Sequence, residues 1–65
     1  MIEKREIKPG VRVRVNEMVF NPEWQGLTGE VVKYAGWHRG IGHTAEVRCS
    51  DKRLRTFCAT SLDLE

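Results

Sequence analysis

The clearest periodic stretch of the chain is residues 9–15, PGVRVRV, in which Val11, Val13 and Val15 alternate with Arg12 and Arg14. A period of two gives a ribbon with one apolar face and one wet face, the mark of a half-buried strand. Pro9-Gly10 turns the chain into it. β-Branched character resumes at Val31-Val32, after Gly26 and Gly29. Each of those glycines marks a place where the backbone turns or a neighbouring strand crowds it. The pattern predicts a second strand over residues 29–34, with Val31 or Val32 inward according to whether Gly29 is a bulge.

A third alternation, over residues 44–49, places Ala45, Val47 and Cys49 on one face and Glu46 and Arg48 on the other. Residues 50–53 supply a hairpin turn of two, three or four residues, and residues 54–58 return as a fourth strand. One residue more or less in that turn exchanges Phe57 and Cys58 between faces. The bulk of Phe57 predicts that it lies inside. Ala59-Thr60-Ser61 suits a single 3₁₀ turn before a brief last strand at 62–64.

The intervening segments lack periodicity. Residues 1–8 read as a flexible lead-in, with Ile7 docking on the domain. Residues 16–25 form a long loop in which Val19 and Phe20 tuck under, Asn21-Pro22 turns, and Trp24 sits near the tip. Residues 35–43, with Gly36, Gly40 and Gly42 among Trp37, His38, Arg39 and His43, read as a connecting loop. The expected fold is all-β: a small SH3-like barrel of about five short strands over residues 9–64, whose closure protects the strand edges. Its expected core is Val11, Val13, Val15, Phe20, Leu27, Val31, Val47, Phe57 and Leu62.

Composition narrows the functional classes. A chain of 65 residues makes one domain that hides only about 60% of its unfolded surface, with no room for a second domain or a deep cleft. Eleven Lys and Arg face nine Asp and Glu, a mild cationic bias. The N-terminus is charged and no apolar run exceeds a few residues, so neither a secretory signal nor a membrane span is expected. Two cysteines do not make a disulfide framework, and a soluble protein of a reducing cytoplasm is expected.

The opening PGVRVRV, the segment NPEW, the run GLTGEVV, then AEVR and the ending LRTF with Leu62 together resemble the SH3-like barrels called electron-transport accessory proteins. That group includes the variable chain of ferredoxin-thioredoxin reductase, a small peripheral subunit of photosystem I and the β-subunit domain of nitrile hydratase. The resemblance spans residues 7–64 and implies a scaffold that docks on a redox partner, without chemistry or cofactor of its own. The first half, VRV to GLTGEVV, is equally similar to a KOW module of ribosomal proteins and transcription elongation factors. Gly26 and Gly29 stand where such modules place their glycines.

Two sets of residues carry candidate function. Trp24, Tyr34, Trp37, His38 and Arg39 lie in or beside the loops and are the expected contacts with a larger protein or complex, since Trp and Tyr are favoured anchors at interfaces. At least one tryptophan is expected instead to cap an open end of the barrel. Arg12, Arg14, Arg48, Lys52, Arg53 and Arg55 are the alternative set, a cationic patch for the backbone of RNA or DNA with aromatics for base stacking.

Metal and catalytic sites are not expected. His38 and His43 have a zinc-like spacing, but eight residues separate Cys49 from Cys58, far from a short chelating loop. The carboxylates show no paired arrangement, and neither cysteine has an evident base. The sequence thus points to a non-enzymatic binding module with no cofactor.

Overall fold

The computed structural model describes residues 1–65. Five strands form one antiparallel sheet: β1 (Arg12–Val15), β2 (Thr28–His38), β3 (Gly42–Cys49), β4 (Leu54–Cys58) and β5 (Leu62–Leu64), in the spatial order β4-β3-β2-β1-β5. The two edges of that order, β4 and β5, are consecutive in the chain and joined only by the 3₁₀ turn Ala59–Ser61. So short a connection requires the sheet to curl back on itself as a small barrel. No helix is long and apolar enough to cross a membrane.

The valines of β1 behave as their period dictates. Val13 and Val15 are buried, while Arg12 and Arg14 are exposed. Val31, Val47, Phe57 and Leu62 join them in the core, as do Ala45 and Cys49. Val11 and Leu27 lie at its margin, partly buried.

β2 is the strand that makes the curl possible. Its first half pairs with β1 through Arg12↔Glu30 and Val13↔Gly29, and its whole length pairs with β3. Register shifts fall at Val32 and Ala35, where an extra residue bends the strand and increases its twist. Gly29 itself is no bulge. It pairs regularly on both sides, and a side chain there would run into the Arg48 carbonyl and stand 2.9 Å from Val47 Cγ1. Val31 therefore faces the core, and Val32 is only half-buried.

The β3–β4 turn consists of Ser50, Asp51 and Lys52. Lys52 N–H donates to the Cys49 carbonyl at 2.8 Å, and Lys52 itself takes a φ of 69°. This is the three-residue hairpin in which a tight turn is followed by one left-handed residue. The resulting register places Phe57 opposite Ala45, inside, and Cys58 opposite Thr44. Cys58 is thus five positions along the ladder from Cys49, about 17 Å at strand spacing. Both thiols are free.

Three expectations fail. Ile7 docks on the core as expected, but residues 1–8 are not a loose lead-in: Ile2 is also a core residue, a 3₁₀ turn spans Lys4–Glu6, and Ile2 N–H donates to the Ala59 carbonyl. The connecting loop expected over residues 35–43 is confined to residues 39–41; the rest continues β2 and begins β3, with Trp37↔His43 and His38↔Gly42 still paired. Gly40 and Gly42 at φ 88° and 82° let the turn close within so few residues. Phe20 is not in the core; it is 83% exposed, because its neighbour Val19 takes the inward position.

Candidate functional site

Asn16 organises the long loop between β1 and β2. Its Nδ2 donates to the Thr60 carbonyl at 2.9 Å, its Oδ1 accepts from Met18 N–H at 2.8 Å, and its own N–H donates to the Ser61 carbonyl. The root of the loop is thereby fastened to the Ala59–Ser61 turn. With Val19 anchored inward, Met18 and Phe20 on either side of it project outward, Met18 to 65% exposure. Further on, Asn21 Oδ1 accepts from Glu23 N–H and caps the 3₁₀ turn Pro22–Trp24.

That turn folds Trp24 back onto the barrel. Its ring meets Phe57 edge-on at 5.8 Å between centres, and the Arg55 guanidinium lies 5.2 Å from the Trp24 ring centre. Arg55 is held in place by a two-point bond to Asp51, at 3.0 and 2.8 Å, and its side chain is only 14% exposed. The hydrogen bond from Arg55, then that from Arg53 N–H, lower the Asp51 carboxyl to about 2; the bond to Asp51 in turn raises Arg55 above its ordinary value. Trp24 therefore packs on the core through Phe57, and Arg55 is part of the structure holding it there.

The opposite feature is the tip of the β2–β3 hairpin. Ile41 N–H donates to the His38 carbonyl at 3.1 Å, and the Ile41 side chain is left 41% exposed. A surface recess of about 250 Å³ opens between this tip and the long loop, lined by Met18, Phe20, Gly40, Ile41, Cys58 and Ser61 among others. A second recess of about 300 Å³ lies on the far side of Ile41, where Met1, Ile2, Lys4 and His43 contribute. Ile41 and Thr60 line both. The result is a furrow beside the Ala59–Ser61 turn with mostly apolar walls.

The expected partner contacts divide. Trp24 is half-buried against the core. Tyr34 is half-buried, its hydroxyl 2.7 Å from His43 Nδ1 and its ring under Lys4 Nζ at 5.4 Å. Through His43 it backs the second recess. Trp37 is 61% exposed and stands opposite His43; His38 and Arg39 are exposed at the tip. Met18, Phe20 and Ile41 were not among the expected contacts. The signal for them was the sequence Met18-Val19-Phe20: adjacent residues cannot all face one core, and one inward Val sends its neighbours out.

The cationic set also divides. Arg12 pairs with Glu30 at 3.3 Å and Glu65 at 3.1 Å, and Arg14 reaches Glu65 at 3.8 Å. The hydrogen bond to Glu65, with a smaller one to Glu30, raises the pKa of Arg12. Arg55 is committed to Asp51 and Trp24. Arg48, Lys52 and Arg53 are exposed and form no ion pair; Arg48 lines a polar cleft of about 260 Å³ with Arg12, Gly29, Glu30 and Ser50. The intended patch is thus interleaved with carboxylates. No three His, Cys, Asp or Glu side chains converge to hold a metal ion.

Comparison with protein-family models, with curated proteins and with solved structures finds no match.

Proposed function

We propose that this chain is a non-enzymatic docking module that attaches to a larger protein or complex through the long loop and the tip of the β2–β3 hairpin. The observation that carries the reading is the convergence of exposed Met18, Phe20 and Ile41 on one furrow. Large apolar side chains gathered on a wet surface mark an interaction site, since leaving them in water forgoes their burial energy. The resemblance to SH3-like accessory barrels, which dock and do no chemistry, points the same way. The surrounding charges would steer the encounter more than they hold the complex. Two free thiols suit a reducing compartment such as the cytoplasm.

The test is recovery of partners by cross-linking from a native extract, using the wild type and a Phe20→Ser/Ile41→Ser variant of unchanged circular dichroism. A partner retained by the wild type and lost by the variant supports the module. Equal recovery by both removes it.

A KOW-like nucleic-acid reading rests on Arg48, Lys52 and Arg53, the expected cations left exposed and without ion pairs. It predicts saturable binding of labelled RNA or DNA whose log K falls with log salt, by about 0.7 per phosphate contact on a single strand. Absence of binding at low salt eliminates it.

A further inference from the structure

Resting on that docking reading, we infer that the furrow takes an extended peptide segment bearing two bulky apolar side chains, one on each side of Ile41, and a carboxylate beside the anchor nearer Lys4. Two recesses of about 250 and 300 Å³ share Ile41 and Thr60 as a common wall. Each is an open surface hollow at the lower end of the range of small-molecule pockets, and not an enclosed chamber. An amphipathic helix lays a continuous apolar stripe into a continuous groove, and here Ile41 would stand in its path. An extended segment instead sends separate side chains into separate pockets. Met18 and Phe20 on the outer wall allow adjustment, the thioether being among the most adaptable of apolar groups.

Charge fixes the direction of the segment. Lys4 lines the second recess with its ammonium over the Tyr34 ring, and it makes no ion pair. The carboxylate of Glu3, in the same recess, is already engaged by Arg5 at 3.1 Å. At the other end, Glu17 adjoins Met18 and has no cationic partner. An acidic residue of the ligand is therefore favoured at the Lys4 end and disfavoured at the Met18 end.

The experiment is fluorescence anisotropy of the full chain with labelled dodecapeptides in which two leucines or phenylalanines lie two to four residues apart, flanked on one side by glutamates or by lysines. The expected result is saturable binding of acidic-flank peptides, weakened at least tenfold by Phe20→Ser or Ile41→Ser, as loss of a buried anchor requires. Lys4→Glu should weaken the acidic peptide about two- to fivefold at low salt, the range of an exposed ion pair, and strengthen the lysine version. Binding indifferent to flank charge, binding unaffected by Phe20→Ser and Ile41→Ser, or no binding by any peptide overturns the inference. If partner recovery from extract nonetheless depends on Phe20 and Ile41, the docking module stands and only its ligand has been misassigned. If that recovery is also independent of them, the module itself falls.

Discussion

At the scale of single residues, two phenylalanines of the same volume have opposite duties. Phe57 is in the core against Trp24, and Phe20 stands in water. Phe57→Ala should cost about 3–5 kcal/mol in a urea titration, enough to unfold much of so small a domain. Phe20→Ser should shift stability by no more than about 0.5 kcal/mol. Gly29 is a steric requirement: Gly29→Ala drives a methyl into the Arg48 backbone and should cost about 1–3 kcal/mol by the same titration. Asp51 gives a pH signature. Its folded carboxyl lies near 2, against about 3.9 in an unfolded chain. The Arg55 bond therefore contributes fully above pH about 4 and is lost as pH falls towards 2. Asp51→Asn should lower the melting temperature at neutral pH, and the difference from wild type should vanish across that acid window.

At the scale of elements, strands with strict alternation were legible. Val13 and Val15 in β1, and Ala45, Val47 and Cys49 in β3, lie on the faces their period assigns. The turn at residues 50–52 was open in length because Lys52 is not a residue that announces a left-handed conformation; only glycine does so reliably. β2 was read four residues too short at its far end, since Gly36, Gly40 and Gly42 together look like loop. Gly40 and Gly42 are turn glycines, but Gly36 sits inside a bulged strand, its carbonyl accepting from Thr44 Oγ1 at 2.8 Å. The site was legible in its two segments and not in its residues. Which side chains emerge from the long loop depends on the distant bonds of Asn16 to the Ala59–Ser61 turn, and these have no local sequence pattern. Asn16→Ala should consequently cost about 1–2 kcal/mol and speed amide hydrogen exchange at residues 17–20 before it does so in the strands.

At the scale of the whole molecule, small size makes every buried apolar group matter. Ile2 is as fully covered as any valine of the sheet, tied to Ala59 through its backbone. Ile2→Ala should cost about 2–4 kcal/mol by chemical denaturation, a value that a frayed terminus would not give. The fold also brings remote parts of the chain together: β1 lies between β2 and β5, with Val15 opposite Leu62. On a growing polypeptide, β1 can pair with β2 soon after both emerge, but its other edge stays bare until residues 62–64 have been made. Until then the nascent chain carries an open strand edge and an uncovered row of valines, which makes the form lacking β5 the one most in need of a chaperone.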